Sequence, residues 1–262
     1  MNSTASKLEA FERLLNIMDD LRAQCPWDRK QTFESLRHLT LEETYELADA
    51  ILDRDLTEIK KELGDLLLHI VFYAKLGSEE SAFDIADVAN EICDKLIHRH
   101  PHIYGTISVK NENEVKKNWE SLKLKEGKQS VLEGVPKSLP ALIKAQRMQE
   151  KAAGVGFDWK EKKEVIEKLN EELEELDQAL EAQNKSAIEE EFGDVLFSLI
   201  NYARFLNINP ETALERTNKK FIKRFQYIED KAKASKRSIA DLNLDEMEAL
   251  WQEAKSHSTS GS

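Results

Sequence analysis

Apolar residues recur along most of the chain with the three- or four-residue spacing of a helix face. Leu8, Phe11, Leu14, Leu15, Met18 and Leu21 predict a helix over residues 7–24. Cys25-Pro26-Trp27-Asp28 interrupts it, because Pro26 cannot continue a helix and Asp28 can cap the next one. Trp27 in that turn reads either as a core contact or as a direct substrate contact. Helices are then predicted over 32–52 and 56–76, with Asp53-Arg54-Asp55 as the turn between them. Leu63, Leu66, Leu67, Ile70 and Val71 form the apolar face of the second, and Gly77 is placed to end it. A further helix over 82–99 runs into His98-Arg99-His100-Pro101-His102, three imidazoles at alternate positions. At a proline-bounded helix end these suit free carbonyls, or alternatively a metal. Another polar helix is predicted over 111–126.

Residues 127–158 differ in character, holding four of the nine glycines and two of the five prolines. A linker with one short helix, over 139–151, is expected there. From Phe157-Asp158-Trp159 the helical pattern resumes, with helices to about Gln183, over 186–206, over 210–234 and over 245–255. No segment of useful length carries the two-residue period of a strand. The expectation is an all-α fold of two related helical bundles, at 1–126 and 157–255, joined by a linker at 127–156 and followed by a disordered tail at 256–262.

The two halves repeat in detail. Residues 41–65 read LEETYELADAILDRDLTEIKKELGD, with acids at Glu42, Glu43, Glu46, Glu62 and Asp65. Adding 129 gives Glu171, Glu172, Glu175, Glu191 and Asp194. Gly64 and Gly193, Tyr73 and Tyr202, and Ala74 and Ala203 coincide at the same offset, while Lys60 and Lys61 become Glu189 and Glu190. A merely solvated face gives no reason to keep five acids in register while the residues between them change. On a helix Glu172 and Glu175 share a face, as do Glu191 and Asp194. Packed antiparallel, the two helices bring four or five carboxylates to one seam, where they repel and protonate unless a cation joins them.

The basic and aromatic residues repeat as well. Lys95 and Arg99 match Lys220 and Arg224 at an offset of 125, and Glu114, Trp119 and Lys123 match Glu246, Trp251 and Lys255 at 132. Carboxylates hold hard divalent ions such as Mg²⁺, Lys and Arg neutralise phosphate oxygens, and a Trp stacks on a base or packs in the core. Lys168 stands four residues before Glu172, on its face, where the first copy has Leu39.

Composition narrows the classes. The 262 residues are 40% hydrophobic and 34% charged, with 9 Gly and 5 Pro, which favours helix. A formal net charge of −12 argues against nucleic acid or an anionic membrane as the main partner. Two cysteines, Cys25 and Cys93, are too few for a disulfide framework. With no long apolar run, the expected setting is the cytoplasm.

With Glu-Glu-x-x-Glu and Glu-x-x-Asp present twice, the chain resembles the MazG-type nucleoside triphosphate pyrophosphohydrolases of the all-α superfamily. CPWD, Arg99–His102 (RHPH), Ser138–Leu142 (SLPAL) and Val155–Trp159 (VGFDW) match tandem-domain members. The resemblance implies hydrolysis of a nucleoside triphosphate to the monophosphate and pyrophosphate with Mg²⁺, or Mn²⁺ in its place. It implies a homodimer and a role in nucleotide-pool cleaning or stress signalling. Carried onto these positions, the metal ligands are Glu172, Glu175, Glu191 and Asp194, with Glu43, Glu46, Glu62 and Asp65 in the first half. Lys168, Lys220, Arg224, Trp251 and Lys255 contact the nucleotide, as do Lys95, Arg99, Trp119 and Lys123 in the first half. Glu171, and Glu42 likewise, is the spare carboxylate that takes a proton from water attacking the α-phosphorus. Two rival readings share these residues. A carboxylate-bridged di-iron bundle would need imidazole where Asp65 and Asp194 stand, with His69 the one nearby candidate. A non-catalytic acidic interaction module would hold no metal.

Overall fold

The computed structural model describes residues 1–109, 114–115 and 130–259. Trp119 and Lys123, and most of the polar helix predicted over 111–126, lie outside the described residues. The described residues contain helices and no strand. The chain divides into two compact units, Met1–Glu114 and Val115–Ser262.

In the first unit, α1 (Thr4–Gln24), α2 (Phe33–Asp53) and α3 (Leu56–Glu79) are followed by α4 (Ile85–Arg99) and the single turn α5 (Pro101–Tyr104). Met18 of α1, Leu36 of α2, and Val71, Phe72 and Leu76 of α3 are buried together as its core, flanked by Phe11, Leu14, Leu15 and Leu68. These are the positions the helical period selects. Two details differ from the sequence reading. Asp28 does not cap α2; it opens a short 3₁₀ turn, Asp28–Lys30, and Thr32 caps the helix by accepting from the Ser35 amide. Gly77 does not end α3, which continues to Glu79. An added Cβ at Gly77 would lie 2.7 Å from the Phe83 ring, so that glycine answers to packing rather than to termination.

In the second unit, α6 (Ala141–Gly154) precedes the hairpin of α7 (Lys162–Glu181) and α8 (Lys185–Phe205), and α9 (Pro210–Ala234) and α10 (Leu244–Thr259) follow. The helix that the sequence reading set within a linker packs on α8 and α9. Its Gln149 is buried and donates from Nε2 to the Phe197 carbonyl, 2.8 Å away. Val165 is buried on α7, Ile200 on α8 and Ile228 on α9.

The same turn joins the acidic helices in both units. Arg54 and Gln183 lie in the left-handed region, with φ of 55° and 52°. Asp55 and Asn184 follow as N-caps, each accepting two backbone amides of the next helix. No helix among the described residues is long and apolar enough to cross a membrane.

Candidate metal and nucleotide site

The hairpin turn sets α7 against α8 so that Glu172, Glu175 and Glu191 converge. One carboxylate oxygen from each lies within 4.8 Å of the other two. Glu43 and Glu46 of α2 and Glu62 of α3 form the corresponding trio in the first unit, within the same limit. In each trio the middle acid is exposed while one member is buried: Glu62 is 2% exposed and Glu172 7%. Asp194 stands beside the second trio, lining the same cavity as Glu172. Asp65 lies close enough to the first that its charge helps push the Glu43 carboxyl upward, after loss of hydration, the larger cause.

Each trio carries a lysine, reached by a different route. In the second unit the Lys168 ammonium is 2.8 Å from Glu171 Oε1 and 2.9 Å from Glu172 Oε1. These bonds hold the Lys168 pKa above its ordinary value. In the first unit Lys61 donates to Glu62 Oε1 at 2.8 Å, and that bond holds the Glu62 carboxyl below the usual range. Glu62 Oε2 is buried with no hydrogen-bond partner among the described residues. Glu175 is pushed up by loss of hydration and then by the charges of Glu172 and Glu191. A like-charged cluster with a bare buried oxygen suits a cation, and its all-oxygen donors suit a hard one.

Beyond this common frame the units differ. A cavity of about 510 Å³ opens beside Glu172. Phe157, Trp159, Val165, Phe197 and Met148 give it apolar lining; Gln149, Ser198 and Asn201 give it polar lining; Lys168, Glu172, Asp194, Asp158 and Arg204 give it charged lining. The hollow beside Glu62 is smaller, about 310 Å³, and its lining has six carboxylates, Lys61 and Ala50, with no aromatic ring. At the position of Ser198 the first unit has His69, which is buried and whose pKa burial lowers. His69 does not belong to the trio.

The remaining sequence candidates sit elsewhere. Glu171 is exposed and tied to Lys168, and Glu42 is exposed on α2. Arg224 of α9 places its guanidinium 5.5 Å from the centre of the Trp251 ring, which also packs 5.2 Å from Phe221. Arg224 Nε is buried with no hydrogen-bond partner among the described residues. Lys220 and Lys255 are exposed on α9 and α10, Lys95 is exposed on α4, and Arg99 is half-buried at its end. None of these eight candidates lines the cavity. Gln149, Asn201 and Arg204 do line it and escaped the sequence reading, because they lie outside the acid repeat: Gln149 and Arg204 bond to partners 48 and 46 residues away, and the Asn201 side chain bonds to Arg204.

The model of the MazG nucleotide pyrophosphohydrolase domain matches residues 31–104 and again residues 160–228, once in each unit. The chain is 42% identical over 259 residues to an Escherichia coli protein named nucleoside triphosphate pyrophosphohydrolase, covering 95% of this chain and 98% of that one. It is 42% identical over 250 residues to the Thermotoga maritima nucleoside triphosphate pyrophosphohydrolase/pyrophosphatase MazG, covering 94% and 95%. A Bacillus subtilis protein, the uncharacterized protein YabN, is 45% identical over 251 residues, 94% of this chain and 51% of its own length.

Proposed function

Since the chain belongs to the MazG nucleotide pyrophosphohydrolase family, we propose that it hydrolyses nucleoside triphosphates to the monophosphate and pyrophosphate, with the second unit as the working site. The observation that carries this reading is one residue's double membership. Glu172 belongs both to the carboxylate trio and to the lining of the aromatic cavity. A cation-holding cluster that opens onto a cavity with three aromatic rings suits a ligand with a phosphate chain at one end and a flat base at the other.

Mg²⁺, or Mn²⁺, fits the oxygen donors of Glu172, Glu175 and Glu191 with Asp194 beside them, and those of Glu43, Glu46 and Glu62 with Asp65 in the first unit. When bound there it supplies positive charge against the phosphate chain. The protein's own groups do the rest. Phe157, Trp159 and Phe197 offer faces for the base. Lys168 leaves the carboxylates to neutralise phosphate oxygens. That exchange frees Glu171, which takes the proton from the water that attacks the α-phosphorus. In the first unit Glu42 holds the matching position. Lys220, Arg224, Trp251 and Lys255 are assigned to the nucleotide on the strength of their repetition and the family resemblance, and Lys95 and Arg99 in the first unit likewise. The free thiols Cys25 and Cys93 suit a reducing cytoplasm. The role proposed is removal of unwanted triphosphates from the nucleotide pool, or a stress response.

The test is a panel of canonical and modified nucleoside triphosphates with Mg²⁺, following pyrophosphate and phosphate separately. Pyrophosphate and monophosphate in equal amounts are expected. Glu172→Ala should lower turnover by about a thousandfold or more while the protein stays folded. Full pyrophosphate release by that variant would remove Glu172 from the site.

A further inference from the structure

We propose that Arg204 is a positioning residue that fixes the aromatic wall of the nucleoside cavity through Asp158, and is not itself a phosphate contact; this rests on the functional reading above. Arg204 Nη1 donates to Asp158 Oδ2 at 2.9 Å and Nη2 donates to Asp158 Oδ1, a two-pronged pair between α8 and the segment before α7. Nε and Nη2 both donate to Asn201 Oδ1, at 3.1 and 2.8 Å. The guanidinium also lies 4.8 Å from the Phe205 ring centre. Its charge is matched by Asp158 and its edges are taken, so it has little left to offer a phosphate.

What the pair holds is the segment that carries two of the cavity's rings. After α6 the chain turns through Gly156, at φ +91°, with the Phe157 amide bonded back to Ala152. Phe157 is 83% exposed and Trp159 44%. Residues so exposed have few contacts of their own to fix them. Asp158 sits between them, accepts the Trp159 amide at 2.9 Å and takes both prongs of Arg204. The first unit ties its corresponding turn differently: Arg22 of α1 donates to the carbonyls of Asp28 and Gln31 and pairs with Glu79 of α3. Lys75, which occupies the register position of Arg204, pairs with Asp19 instead. An Arg–Asp clamp on an aromatic-bearing turn thus accompanies the unit with the aromatic cavity.

The experiment compares Arg204→Ala, Arg204→Lys, Asp158→Asn and the Arg204→Ala/Asp158→Asn double variant with the full-length protein. Substrates are a nucleoside triphosphate and methyl triphosphate, which has the phosphate chain and no base. With the nucleotide, each single variant should raise KM about tenfold with kcat within about twofold, and the double should be no worse than either. Arg204→Lys, which keeps the charge and loses the fork, should rescue little. With methyl triphosphate all four should match the parent. If Asp158→Asn leaves KM unchanged or lowers it, while Arg204→Ala raises it, Arg204 touches substrate directly and the clamp is overturned. Equal losses with both substrates overturn it too. Should Arg204→Ala fail to fold, Asp158→Asn decides alone by the same KM criterion. A parent protein that releases pyrophosphate from no nucleotide overturns the functional reading, and the clamp's role with it.

Discussion

At the scale of single residues, the acid clusters are built against their own charge. Glu43 and Glu175 titrate above the ordinary carboxylate value of 4.5, chiefly because their charged forms lose hydration and then because neighbouring acids repel them. A carboxyl whose folded pKa is raised binds a proton more readily folded than unfolded. In the metal-free protein, these two groups therefore favour folding most below pH 4.5, and that contribution is lost as pH rises through their raised folded values. A bound cation reverses the preference, since the ligand must be deprotonated. The thermal midpoint should therefore rise with Mg²⁺ at neutral pH, and the rise should shrink as pH falls toward the carboxylate range. Midpoints measured with and without Mg²⁺ across that range check this. A shift that stays constant down to pH about 4 would mean the cation binds elsewhere.

At the scale of elements, the site is a consequence of one turn used twice. A residue in the left-handed region followed by a capping Asp or Asn reverses the chain, and the acids on either side meet. Asn184→Ala removes the side-chain oxygen that accepts from both the Ser186 and Ala187 amides and should cost about 1 kcal/mol. Urea unfolding measures it, and an unchanged slope would place the loss in the turn rather than in the denatured chain. This level was largely legible in the chain. The offset of 129 aligned the acids of the two trios before any geometry, and Pro210 marked the start of α9. Gly77 misled because a glycine that ends a helix and one that makes room for Phe83 look alike until the neighbour is placed. The cavity was not legible, because its identity depends on pairings such as Arg204 with Asp158 and Gln149 with Phe197, between segments whose separation carries no periodic signal.

At the scale of the whole molecule, both units leave the same surface uncovered. On α3, Leu63, Leu67 and Ile70 are 52%, 39% and 48% exposed; on α8, Phe192, Leu196 and Leu199 are 54%, 46% and 49% exposed. These are register equivalents at the offset of 129. Apolar residues scattered singly on a surface need no explanation, but a stripe preserved through the repeat does. Gly64 and Gly193 lie beside the stripes, and a Cβ added at either would meet nothing within 4 Å among the described residues beyond its own helix backbone. A glycine inside a helix costs about 0.5–1 kcal/mol relative to alanine, so two of them with open space beside them suit a close neighbour from outside. The homodimer that the family resemblance implies would supply one, with the stripes buried between copies. Phe192→Asp together with Leu196→Asp should convert a species of twice 30.1 kDa into one of 30.1 kDa by light scattering. Because α8 carries both the stripe and Glu191, the same variant should also lose Mg²⁺-dependent stabilisation if the neighbour steadies the helix on which the ligand rides. A double variant that stays dimeric would assign these stripes another occupant, and one that becomes monomeric with its Mg²⁺ response intact would separate assembly from the site.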